Sequence, residues 1–284
     1  MSRPVRVGIS QIGTPPDDPT ASRSRTTAAL REAIDQGADV VVLPELAVPG
    51  YTTDAALLTA SAEPLDGPTV TAWHQLAETS GAVVIGGFCE RSADGLHNTA
   101  VVVGPDGVLA HYRKLHLFAG EKSVFVPGDR GLPVVATPHG TIGICVCYDL
   151  RFAEVTRVVA LRGADILAVP TAWVPGFDQV RWDEAGMCPQ GHGAVLQANL
   201  NQVVIACASA VGRRETFELL GASIVADPYG RLALGPLSGI AEVVATVGLD
   251  LDDVERAQHR GPGIDPRIDR RTDVYGITYG GEVL

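Results

Sequence analysis

The 284 residues carry 46% hydrophobic side chains, enough to bury a large core in a single domain spanning 1–284. A formal charge of -11, with 22 Lys and Arg scattered along the chain, leaves no basic stripe for a phosphate backbone and argues against a nucleic-acid partner. The N-terminus MSRPVRVGIS lacks a signal-peptide core and no apolar run could span a bilayer, so a soluble, cytoplasmic protein with no membrane partner is expected.

In chain order, residues 26–36 (TTAALREAIDQ) space their apolar side chains as a helix does, then pass through Gly37-Ala38-Asp39 into VVVL. That unbroken β-branched run is typical of a strand buried on both faces. Pro44 stops the strand, because its nitrogen cannot join a ladder, and Glu45 stands just past the edge. Desolvation there lifts a carboxylate toward the pKa of a general base; a helix cap or an ion pair with arginine is the structural alternative.

VVIGGF predicts a second strand, and AVVV-Gly104-Pro105-Asp106-Gly107-VLA a hairpin turned by proline and glycine. LAHYR then delivers Lys114, a cation able to neutralise a thiolate or an oxyanion in a crevice. His111 and His116 flank it as strand and loop side chains, without the partner group a zinc site would need.

TIGICV ends at Cys147, ahead of a helix expected to begin between Phe152 and Thr156. A thiol beside exposed N–H groups is expected to favour its thiolate, and the Tyr148 N–H is placed to donate to an oxyanion formed by sulfur attack. Cys145 alternates with Cys147 along the strand, so it reads with Cys89 and Cys207 as a buried small hydrophobe. A CxC metal or redox pair lacks the second pair that would complete a ligand set. All five cysteines, Cys188 included, read as free thiols.

The second half then echoes the first. VTRVVALR-Gly163-Ala164-Asp165-ILAV-Pro170 repeats the helix and strand before Glu45, VVIACAS repeats VVIGGF, and SIVA-Asp227-Pro228-Tyr229-Gly230-RLA repeats the hairpin. Two such units predict an α/β fold of two mixed sheets related by an internal pseudo-two-fold. Helices outside and sheet against sheet inside make a four-layer α-β-β-α sandwich, the alternative being a three-layer doubly wound sheet. The loop after ILAVP holds Trp173, Phe177, Trp182 and Met187, which either line an apolar pocket or serve in packing. The tail DPRIDRRTDVYGITY carries Val274, Tyr275, Ile277 and Tyr279, too many apolar anchors for a solvated end.

With LPELAVPGY, YRKLHLF and GICVCYDLRFAEV in that order, the chain resembles the nitrilase superfamily of carbon–nitrogen hydrolases, in its amidase-like branch, over nearly its whole length. The resemblance implies a Glu–Lys–Cys triad at Glu45, Lys114 and Cys147. It further implies a substrate-positioning glutamate at Glu121, a tail of about 260–284 packed on a neighbouring subunit, and a homodimer or larger homo-oligomer. Ala153 stands where the family commonly has proline, a departure that carries no chemistry. Trp173 is the expected pocket aromatic. A small-molecule amide is the leading substrate; an N-carbamoyl compound or a nitrile would use the same groups. A non-catalytic scaffold with the same fold is the reading from another class. No metal or organic cofactor is called for.

Overall fold

The computed structural model describes residues 2–176, 178–214 and 217–284. Its first half runs β1 (Pro4–Gln11), α1 (Pro19–Asp35), β2 (Val40–Val42), α2 (Ala55–Ser61), α3 (Pro68–Ser80), β3 (Val83–Ser92), β4 (Gly95–Gly104) and β5 (Gly107–Arg113). The second runs β6 (Val134–Thr137), β7 (Gly140–Ile144), α4 (Ala153–Leu161), β8 (Ile166–Thr171), α5 (Pro189–Asn201), β9 (Val204–Ser209), β10 (Val211–Arg213), β11 (Glu218–Leu220), β12 (Ile224–Ala226) and β13 (Leu232–Leu234). β14 (Val243–Asp250), α6 (Asp252–Arg256), β15 (Thr278–Tyr279) and β16 (Glu282–Val283) close the chain.

The main sheets have the orders β14-β1-β2-β3-β4-β5 and β6-β7-β8-β9-β12-β13. Written in this sense they correspond strand for strand in order and pairing. Each has three central parallel strands and antiparallel strands on both flanks. The pseudo-two-fold predicted from the repeated motifs is thus present in the hydrogen-bonding pattern.

Strand alternation explains the layers, since successive side chains point to opposite faces. Val40 and Val42 enter the core shared with Ile142, Ile144 and Ile166 of the other sheet. Val41 and Leu43 enter a separate core under α1 and α3. Contacts of β1 with β9, and of β2 and β3 with β8, join the sheets, while α4 and α5 pack against β7, β8 and β9. The result is the four-layer sandwich rather than a three-layer sheet. Trp73 of α3 is fully buried in the outer core and donates from Nε1 to Thr26 Oγ1 of α1 at 3.1 Å. Removing such a ring would cost about 3–5 kcal/mol.

Among the described residues, no helix is long and apolar enough to cross a membrane. The tail lies against its own chain in part: Ile277, Tyr279 and Leu284 pack on the main core, and the Arg162 guanidinium stacks over the Tyr279 ring at 4.9 Å. Val274 and Tyr275 are exposed.

Candidate active site

Three loops meet at the carboxyl ends of the central strands. The first follows β2, where Glu45 N–H donates to Thr171 O at the end of β8 at 3.3 Å, tying the two sheets together at this point. Gly87 of β3 passes so close beneath that a Cβ on it would lie 2.6 Å from Leu46 N and 2.9 Å from Glu45 Cα. Only glycine permits that approach.

The second loop leaves β5 at Lys114, whose N–H donates to Asn98 O of β4 at 2.9 Å. The third carries Cys147. Strand β7 ends at Ile144, and Cys147 opens a short 3-10 turn, Cys147–Arg151, with φ +47°. A non-glycine residue in that region costs about 1–2 kcal/mol. Asp149 holds the turn in place by accepting from Val146 N–H at 2.9 Å, Tyr112 O–H at 2.6 Å, and His116 N–H at 3.0 Å. The His116 ring also meets Asp149 through Nδ1 at 2.7 Å and stacks on Phe152. A strained backbone persists only when its surroundings over-determine it, as these bonds do.

At the centre is a buried charge cluster. Lys114 Nζ donates to Glu45 Oε1 at 2.6 Å and to Glu121 at 2.9 Å, and all three side chains are sealed from solvent. Asn98 Nδ2 gives Glu45 Oε1 a second hydrogen bond at 2.7 Å. Glu45 Oε2 is buried with no partner among the described residues. Glu121 accepts from Tyr51 O–H at 2.9 Å and from Phe118 N–H at 3.0 Å.

The electrostatics follow from this packing. Burial, reinforced by the charge of Glu121, lifts the Glu45 carboxyl to about 7 against the pull of Lys114 and Asn98. Burial works against the Lys114 ammonium, but the carboxylates of Glu45 and Glu121 outweigh it and hold its pKa above the ordinary value. Burial and then the Glu45 charge push the Cys147 thiol well above its usual range, with Lys114 and the Ala172 backbone N–H pulling the other way. The expectation of a resting thiolate is therefore corrected. The dry setting and the Glu45 charge prevail over the exposed N–H groups and favour the thiol over the thiolate.

Cys147 and Tyr148 border a cavity whose walls include Tyr51, Phe118, Trp173 and Val174. It shares Tyr51, Phe118 and Val174 with an outer basin edged by Arg213 and Arg214. Of the side chains predicted from sequence, Glu45, Lys114 and Glu121 are in hydrogen-bonded contact, and Cys147, Tyr148 and Trp173 face the same cavity. Trp182 is half exposed and Met187 is buried; neither borders this cavity. Phe177 lies outside the described residues. Cys145 is buried in the main core, although Cys147 has left the strand and simple alternation does not relate the two. His111 meets Glu90 at 2.8 Å, and among the described residues no cluster of three His, Cys, Asp or Glu side chains could hold a metal ion.

Asn98, Tyr51 and Asp149 are the site's supporting groups. Tyr51 closes the LPELAVPGY motif and Asn98 is the middle of three consecutive polar residues, His97-Asn98-Thr99, in β4, signals too common in sequences to single them out. Asp149 fixes its loop through the groups described above, while Arg151 pairs with Asp178.

The chain matches the carbon–nitrogen hydrolase family over residues 6–259. It is 34% identical over 250 residues to a nitrilase from Pyrococcus abyssi, covering 87% of this chain and 90% of that one. It is 30% identical over 255 residues to an (R)-stereoselective amidase from Pseudomonas sp, covering 89% and 88%. A double mutant of the amidase from Nesterenkonia sp. AN1, solved in complex with acrylamide, has the same fold, with a TM-score of 0.76, 25% identity and 95% of each chain covered. With this fold and this agreement along its length, the chain belongs to the carbon–nitrogen hydrolase family of the nitrilase superfamily and is a hydrolase of carbon–nitrogen bonds other than peptide bonds.

Proposed function

We propose that the protein hydrolyses a small-molecule amide to a carboxylic acid and ammonia through a thioester on Cys147. The observation that carries this reading is the asymmetry of Glu45. One oxygen is anchored by Lys114 and Asn98; the other is buried, unpartnered and carried by a group titrating near neutrality. That is the state a general base needs.

In this mechanism Glu45 Oε2 takes the Cys147 proton as Sγ attacks the amide carbon. The Lys114 ammonium and the Tyr148 N–H hold the oxyanion, each such donor contributing on the order of 100-fold or more. The carbon–nitrogen bond breaks as Glu45 returns the proton to nitrogen, and ammonia leaves. Water then gives a proton to the same carboxylate and attacks the thioester; the acid departs and the proton goes back to sulfur. Glu121 positions Lys114 and, through Tyr51, shapes the cavity wall. The aromatic walls suit a small, modestly apolar acyl group, and the acrylamide complex of the related amidase supports an amide substrate. Exposed Val274 and Tyr275 support association of the tail with a second copy of the chain.

The test is ammonia release from a panel of small amides, N-carbamoyl compounds and nitriles, with Cys147→Ala as control. Ammonia from amides, lost in the variant, is the expected result. A Cys147→Ala protein as fast as its parent, or turnover of nitriles alone, would contradict the proposal.

A further inference from the structure

Most of the cavity wall is aromatic or aliphatic; Arg151, which pairs with Asp178, and Gln190 interrupt it. Gln190 stands in the first turn of α5 and is 8% exposed. Its Nε2 donates to Val174 O at 3.0 Å, which fixes the amide's orientation and leaves Oε1 as the acceptor. Oε1 is buried and has no hydrogen-bond partner among the described residues. A buried acceptor left unpaired is costly, so one on a binding-cavity wall points to a donor supplied by the ligand. Three residues on, on the same helix face, Gly193 also borders the cavity, and a Cβ there would meet nothing within 4 Å. The wall therefore includes a hydrogen-bond acceptor without a partner among the described residues.

We propose that Gln190 is a specificity-determining residue, whose Oε1 accepts a hydrogen bond from a neutral donor, a hydroxyl or amide N–H, on the acyl chain of the amide cleaved at Cys147. A carboxylate directed at Gln190 would set oxygen against oxygen. An ammonium would be buried against a neutral amide, since Glu45 and Glu121 are already bonded to Lys114. A neutral donor meets neither penalty. The assignment rests on the amide-hydrolysis proposal above.

The experiment compares kcat/KM for propanamide with 2-hydroxypropanamide, 3-hydroxypropanamide and malonamide, in the parent protein and in Gln190→Met. The parent is expected to favour at least one donor-bearing amide over propanamide by about tenfold, and Gln190→Met to lose about tenfold in that ratio. Because the ratio is taken within one preparation, the fraction of folded variant cancels. Should Gln190→Met fail to fold, the parent's own ratio remains decisive. Hydrolysis of propanamide at least as fast as all three donor-bearing amides would overturn the role of Gln190 and leave amide hydrolysis standing. A preference undiminished in Gln190→Met would do the same. Ammonia from none of the four would remove the amide-hydrolysis proposal and this assignment with it.

Discussion

Lys114 donates to Glu45 across 2.6 Å, and neither side chain reaches solvent. The ammonium lowers the Glu45 pKa against the larger effect of burial, so the two groups set one another's protonation state. Lys114→Met removes the cation and leaves two buried carboxylates facing each other. Breaking a buried pair in this way costs about 3–5 kcal/mol, which denaturant unfolding would register as a lower midpoint. The Glu45 carboxyl, released from the lysine's pull, would ionise at higher pH, so any residual activity should require more alkaline conditions.

A carboxyl lifted to about 7 is a base only above that pH. With Glu45 acting as the base, kcat/KM should level off above about pH 7 and fall about tenfold for each further unit of acid below it. Glu45→Gln keeps the side chain's volume and should lower kcat/KM by about 100- to 10,000-fold while abolishing that acid limb. A pH–rate profile of parent and variant checks both effects.

Asn98 stabilises the ionised form of Glu45 through its 2.7 Å hydrogen bond. Asn98→Leu should therefore move the acid limb of kcat/KM to higher pH and lower the plateau by about tenfold, the scale of one charge-assisted hydrogen bond. A purely structural role for Asn98 would lower the plateau and leave the limb in place.

Gly87 touches no substrate in this mechanism, yet a methyl group on it would collide with Leu46 N and Glu45 Cα. Gly87→Ala should displace the Glu45 loop, and a misplaced catalytic group can cost about 100-fold in rate. The neighbouring backbone must also shift, so destabilisation of about 1–3 kcal/mol is expected. Activity and thermal unfolding, measured together, report both consequences.

Much of this arrangement is legible in the residues themselves. The repeated Gly-Ala-Asp, strand and proline segments give the two-sheet design, because buried parallel strands leave a distinctive apolar run between turn residues. Polar residues at the ends of such runs point to Glu45, Lys114 and Cys147. Other features depend on three-dimensional packing. Cys147 looks like the next residue of a strand, whereas Asp149 and its partners draw it into a left-handed turn. Burial of its sulfur reverses the expected pKa direction, and burial is a property of surroundings that a local motif does not encode. Asn98 reaches Glu45 because β3 and β4 pair in a register that sets Cys89 opposite Asn98, a consequence of the hairpin as a whole. Trp173 lines the cavity while Trp182 does not, and nothing in their shared loop distinguishes them beforehand.

The central claim is a covalent acyl group on Cys147. Acid-quenched peptide mass spectrometry during steady-state amide turnover tests it directly. The expected result is the mass of the acyl group added to the Cys147 peptide at early times, absent from Cys147→Ala and cleared when substrate runs out. Sustained ammonia release from an enzyme whose Cys147 stays unmodified throughout, or acylation at another residue that tracks turnover, would contradict it.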